Sequence, residues 1–177
     1  MRLGPLDRRD RPRLAELLAA TGAFNADEVQ VALSLCDVSI EEEENASSRG
    51  SDNSRRDPTV PSDYEFLGAF EEADGRLVGY ACFGATPATD GTYDLYWLAV
   101  DPAAQGRGVG TALVRAVEEK LADREARLLV VETSSRPDYE GTRRFYARSG
   151  YKEAARVRDF YAPADDRIVL TTRLTTR

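Results

Sequence analysis

The chain of 177 residues is expected to fold as one α/β domain spanning residues 1–177, and three features of the sequence carry that expectation. Two helical patterns come first. A pair of strand-like runs separated by a turn signal follows, and then an apolar strand leads through a glycine-rich turn into a third helix. A domain of this size can bury a core without disulfides or a structural metal.

The elements follow in order. Asp10, followed by Leu14, Leu17 and Leu18, marks a capped first helix with Pro12 in the opening turn, where its missing N–H costs little. Asn25 with Glu28 three places on forms a capping-box pattern, and Val29, Leu33 and Cys36 continue one face of a second helix. Residues 41–63 are polar, charged and interrupted by proline. Such a stretch buries too little apolar surface to offset chain entropy, so a mobile loop is expected there. Residues 64–71 and 76–84 are strand-like and flank Ala73-Asp74-Gly75, a hairpin signal. After a loop with Pro87 and Gly91 comes the strand from Asp94 to Val100, stopped by Asp101-Pro102, and Leu113, Val114, Val117 and Leu121 then recur at helical spacing. A further strand at 128–131 ends in Glu132. Another helix leads to Gly150, suited to a left-handed cap, and residues 151–161 and 167–174 read as final strands.

Composition removes several kinds of chemistry. There is no histidine, so histidine-based triads, bases and zinc sites are excluded, and no metal site is expected. Cys36 and Cys82 show no ligand spacing and lie in apolar stretches, as small buried thiols do. A net charge of −7 argues against general affinity for nucleic-acid phosphates, although Arg143-Arg144 forms a local basic pair. Neither a signal peptide nor a membrane-spanning run is visible, which makes a cytoplasmic protein the expectation.

The glycine turn, A-Q-G-R-G-V-G, lies at a helix N-terminus, where unpaired N–H groups and the positive end of the helix dipole favour an anion. Spacing separates three kinds of phosphate loop. A dinucleotide fingerprint needs a third glycine where Thr111 or Leu113 stands, and a nucleotide P-loop needs a lysine that the turn lacks, the chain's two being Lys120 and Lys152. The pattern that fits is Q-x-x-G-x-G, carried by Gln105, Gly108 and Gly110 after L-A-V-D-P. This resembles the pyrophosphate-binding motif of the GNAT family of N-acetyltransferases. The resemblance extends to a downstream helix with Phe145 and Tyr146, followed by Gly150 and Tyr151. The sequence departs from the family at Tyr139, where an Asn often stands seven residues before that tyrosine.

The resemblance implies a mixed central sheet flanked by helices on both faces, with acetyl-CoA as acyl donor. It implies that Gln105, Gly106, Arg107, Gly108, Val109, Gly110 and Thr111 cradle the pyrophosphate. The strands of Leu95 and Leu128 are expected to splay, so that backbone groups of Leu98, Ala99 and Val100 pair with the pantetheine amides. Tyr146 matches the family tyrosine near the coenzyme sulfur, and a phenol, protonated at neutral pH, can serve as the acid. Asp94 lies five residues before Ala99, where some members carry a glutamate base. It reads equally as a strand-end Asp, and Glu132 is the alternative carboxylate. Residues 159–166 place Phe160 and Tyr161 beside Asp159, Asp165 and Asp166, either to receive a cationic amine or as an ordinary acidic hairpin.

The function expected is acetyl-CoA-dependent transfer to an amine of a small molecule or peptide, by a monomer or homodimer that binds neither nucleic acid nor membrane. The alternatives are a non-catalytic acyl-CoA sensor and, in third place, a dinucleotide-dependent oxidoreductase.

Overall fold

The structure, a computed structural model, describes residues 1–22, 26–48 and 64–174. In chain order these form β1 (Arg2–Gly4), α1 (Arg11–Thr21), α2 (Ala26–Ser48), β2 (Glu65–Phe70), β3 (Leu77–Ala85) and β4 (Thr92–Val100). Then come α3 (Val109–Ala122), β5 (Leu128–Ser134), α4 (Glu140–Arg148), β6 (Lys152–Ala162) and β7 (Asp165–Arg173), with 3-10 turns at Pro102–Ala104 and Pro137–Tyr139. The strands make one seven-stranded sheet in the order β1-β2-β3-β4-β5-β7-β6. It is mixed, because β4 and β5 run parallel while β1–β2, β2–β3, β5–β7 and β6–β7 are antiparallel. Contacts cluster in two compact units, Met1–Phe83 with Trp97–Val114 and Gly84–Tyr96 with Arg115–Arg177.

In the first unit, α1 sends Leu14, Leu17 and Leu18 into the core and ends at Gly22 in the left-handed conformation, as its sequence requires. Asp10 sits at the cap position but turns its carboxylate back to accept from the Asp7 N–H at 2.9 Å rather than capping the helix. On β3, residues 77–84 are buried in unbroken succession, the pattern of a strand covered on both faces. One face carries Gly79, where a Cβ would lie 3.0 Å from both the Ala99 carbonyl oxygen and Val109 Cγ1, so any side chain there would crowd β4 and the start of α3. The other face carries Tyr80 and Cys82, fully buried with Cys36 of α2 beside them. Burial pushes both the phenol and the thiol up, so neither ionises near neutral pH.

Two expectations need correction in this unit. Residues 41–48 are not loop, because α2 continues through the glutamates to Ser48. Glutamate is a good helix former, and polar residues extend a helix that buried Leu33, Cys36 and Ile40 have already nucleated. Residues 49–63 of the expected loop, and Asn25 of the expected cap, lie outside the described residues. β1 has no counterpart in the sequence reading: three residues give no period, and the strand exists through its pairing of Arg2, Leu3 and Gly4 with Phe70, Ala69 and Gly68.

In the second unit, β5 pairs along its whole length with β7, from Leu128↔Arg173 to Ser134↔Arg167. Against β4 its ladder covers three pairs, from Thr92↔Leu128 to Asp94↔Val130. Leu129, Val131 and Thr133 share one buried face with Ile168 and Leu170. β6 is exposed at every residue, and its register on β7 shifts twice, once around Ala154 and again between Val157 and Ala162. No helix among the described residues is long and apolar enough to cross a membrane.

Candidate active site

The corner between β4 and α3 is built by Asp101. Its carboxylate accepts the Ala103 N–H at 2.8 Å, capping the 3-10 turn that Pro102 opens, and its own N–H donates to the Val78 carbonyl of β3. Arg13 of α1 pairs with the same carboxylate, and Arg76 lies 3.2 Å from it. The Ala103 amide and the two guanidiniums hold this carboxyl below the usual carboxylate range despite its burial. The strand end is thereby pinned to α1 and β3, and the glycine turn starts from a fixed point.

Within the turn, Gly106 and Gly108 take φ of +75° and +82°, which a side chain would strain, and among the described residues no heavy atom beyond the local chain lies within 4 Å of where either Cβ would be. Space above the turn is therefore open. Ala112 makes the first intrahelical hydrogen bond, to the Gly108 carbonyl, so the N–H groups of Val109, Gly110 and Thr111 precede the ladder and are the helix's orphan donors. The residues expected to form the cradle therefore end in a helix start whose first backbone donors have no partner within the helix.

The side chains of the turn do other work. Gln105 Nε2 donates to the Val100 carbonyl at 3.4 Å, closing the turn on the strand. Arg107 grips Glu71 with both guanidinium nitrogens, at 2.8 and 3.3 Å. Leu98, Ala99 and Val100 lie at the end of β4, beyond the last residue that pairs with β5, and the Ala99 side chain is buried. All the expected coenzyme residues thus belong to the first unit.

The expected catalytic side chains belong to the second. Asp94 is half-buried at the last position of β4 that pairs with β5, and its Oδ2 accepts the Thr86 hydroxyl at 2.6 Å. Glu132 on β5 is instead committed to an ion pair with Arg167, whose guanidinium also lies 4.9 Å from the centre of the Phe160 ring. Tyr146 is buried in α4 between Phe145 and Tyr151, with ring centres at 5.1 and 5.2 Å and both contacts edge to face. Burial pushes its phenol up, which keeps the proton on the oxygen through the neutral range. Arg143 donates to the carbonyls of Ser134 and Arg136, tying α4 to the end of β5, and Arg144 pairs with Glu140, so the basic pair read in the sequence is engaged internally.

The acidic hairpin is similarly occupied. Asp159 accepts the Ala164 N–H, Asp165 the Ser134 hydroxyl, and Asp166 both the Asp159 N–H and Arg156. These carboxylates hold the hairpin together, while Phe160 and Tyr161 are about half exposed. Thr86, Glu71, Arg13, Arg76 and Glu118 were given no part in a site by the sequence reading. Only Asp101 carried a local signal, as Asp before Pro at a helical start.

A glycine turn heading a helix at the end of a sheet strand characterises α/β proteins that hold phosphate-bearing ligands. The family model described as acetyltransferase (GNAT) family matches residues 33–151, and the chain belongs to this family, whose members use acetyl-CoA as acyl donor. Among solved structures, a protein assigned to the GNAT family from Desulfovibrio desulfuricans is 35% identical, covers 98% of each chain and superposes with a TM-score of 0.82. The coenzyme A complex of an aminoglycoside 6'-N-acetyltransferase has the same fold, with TM-score 0.68 at 17% identity and 100% and 99% coverage. Among curated relatives, the L-2,4-diaminobutyric acid acetyltransferase of Nocardia farcinica is 33% identical over 49% of this chain. The N-alpha-acetyltransferase RimI of Mycobacterium tuberculosis is 35% identical over 54%. The matches span less than two thirds of these relatives, 44% and 57% of their lengths.

Proposed function

We propose that the protein is an acetyl-CoA-dependent N-acetyltransferase acting on a primary amine of a small molecule or peptide. The observation that carries this reading is the open turn at Gly106 and Gly108, which heads α3 with three orphan N–H groups in a chain of the GNAT family. Acetyl-CoA supplies the acetyl group as a thioester. The backbone N–H groups of Val109, Gly110 and Thr111 hold its diphosphate, and the end of β4 at Leu98, Ala99 and Val100 offers backbone groups to the pantetheine amides.

Transfer forms the amine N–C bond and breaks the C–S bond, so one proton must leave the nitrogen and one must reach the sulfur. Tyr146, kept protonated by its burial, gives its proton to the departing thiolate. Asp94, oriented by Thr86, takes the amine proton through a water. Glu132 is the poorer base, because accepting a proton would dissolve its pair with Arg167. The curated relatives named for diaminobutyrate and for N-alpha-acetylation suggest aliphatic diamino acids and peptide N-termini as the first acceptors to try.

The test is release of free thiol from acetyl-CoA across an amine panel containing both classes. Acetyl-dependent turnover with an amine is the expected result. Tight coenzyme A binding with no turnover across the panel would make the protein an acyl-CoA sensor, and saturation by NAD but not by coenzyme A would overturn both readings.

A further inference from the structure

We propose that Tyr151, anchored by Glu118, is a positioning residue that sets the place of the Tyr146 hydroxyl. The inference rests on the reading of Tyr146 as the acid. Three observations couple the two tyrosines. Gly150, at φ +92°, ends α4 in a paired cap in which its N–H donates to the Ala147 carbonyl at 3.1 Å and the Tyr151 N–H donates to the Tyr146 carbonyl at 3.0 Å. The two rings that this cap brings together meet edge to face, 5.2 Å apart and inclined at 65°. The Tyr151 hydroxyl then donates to Glu118 Oε1 of α3 at 2.9 Å. Tyr146 is therefore held at its backbone and on its ring by a residue that is itself tied to another helix.

The hydroxyl of Tyr151 is what marks this as more than packing. A phenylalanine would fill the same buried place and complete the same cap, with no polar group to satisfy. Instead the chain keeps a hydroxyl and brings a half-buried carboxyl to meet it, although burial disfavours the carboxylate of Glu118 and pushes its pKa up. A hydrogen bond to a charged acceptor is directional and short, and it fixes the tilt of the Tyr151 ring more tightly than packing does. That ring packs edge to face against the ring of Tyr146. A displacement of about 1 Å in a proton donor is enough to cost a large factor in rate.

The experiment compares Tyr151→Phe, Tyr146→Phe and the double variant. The rate is read with the best acceptor of the amine panel or as acceptor-free hydrolysis of acetyl-CoA. Tyr151→Phe keeps the ring and the cap and removes only the bond to Glu118. It should lower kcat about 10-fold with KM values unchanged within about twofold, and it should cost nothing further once Tyr146 is Phe. Glu118→Ala should reproduce the loss, and Glu118→Gln, which keeps an acceptor oxygen, should recover most of it. Full kcat in Tyr151→Phe, or a loss that adds in full to that of Tyr146→Phe, would overturn the proposal and leave Tyr151 a purely structural residue. Unchanged turnover in Tyr146→Phe alone would instead remove the acid assignment itself.

Discussion

The Thr86 hydroxyl donates to Oδ2 of Asp94 at 2.6 Å, across the connection between β3 and β4, where the Thr86 N–H also bonds the Thr92 carbonyl. The bond fixes the carboxylate's rotation. Asp94→Asn should slow turnover most at low pH, where the amine carries its proton, and the deficit should shrink as free amine becomes abundant. Thr86→Val, nearly the same shape, should lower kcat in the same direction by about 3- to 10-fold with little change in KM. Parallel pH–rate profiles check both. A deficit of constant size across pH would make Asp94 a strand-end residue with no part in proton transfer.

Gly108→Val tests the cradle. A β-branched residue at φ +82° strains the turn by roughly 1–3 kcal/mol, but among the described residues its Cβ meets no atom beyond the local chain within 4 Å, so the chain should still fold. Coenzyme A should bind at least about 10-fold more weakly, because the Cβ enters the space the diphosphate needs and the strained turn misaims its donors. Affinity for pantetheine, which lacks the diphosphate, should hardly change. Calorimetric titration with both ligands measures the difference, and an equal loss for the two would place the diphosphate elsewhere.

Asp101 should make itself felt in acid. Its folded-state carboxyl is held below the usual value, so the stability it contributes is present above its unfolded value of about 3.9 and is lost as pH falls through the folded one. At neutral pH Asp101→Asn should be less stable by about 1–3 kcal/mol, from the weakened cap and the loss of its ion pairs with Arg13 and Arg76. Urea unfolding from pH 7 to pH 2 should show the two proteins converging below about pH 4. Curves that stay parallel would mean that the charge of Asp101 contributes nothing.

Tyr80 offers a change in the opposite direction. Its hydroxyl is buried with no hydrogen-bond partner among the described residues, while its ring stacks on Phe66 at 6.2 Å. Tyr80→Phe keeps the ring and removes an unsatisfied polar atom, so it should raise stability by up to about 1 kcal/mol. It should also reduce alkaline sensitivity. The folded phenol titrates above its unfolded value of about 10, so stability present below that pH is lost as pH rises beyond it. Denaturant midpoints at pH 7 and pH 11 report both effects, and a loss of stability at pH 7 would reveal a partner for the hydroxyl.

What could be read in the sequence was local in it. The turn at 105–110 is recognisable because glycine positions and helix start fall within a few residues, and the α4 cap because Gly150 directly follows the helix it ends. The partners were not legible. Thr86 reaches Asp94 over 8 positions, Tyr151 reaches Glu118 over 33 and Arg13 reaches Asp101 over 88, and nothing in composition or period records such meetings. The extent of α2 was missed for a different reason. A run of glutamates lacks an apolar stripe, yet once buried residues fix the preceding turns, adding helical residues costs little.

The exposed strand β6 closes one side of the sheet, and its charges determine what can be added there. Consider a second copy laid antiparallel beside it about a twofold axis. Centred on Arg156, that residue faces its own copy. That alignment sets like charges opposite one another, and the shifts in register around Ala154 and between Val157 and Ala162 interrupt a straight ladder to a partner. An unprotected edge of 11 residues would be a template for fibrous growth, and here the charge of Arg156 and the two irregularities work as a guard against it.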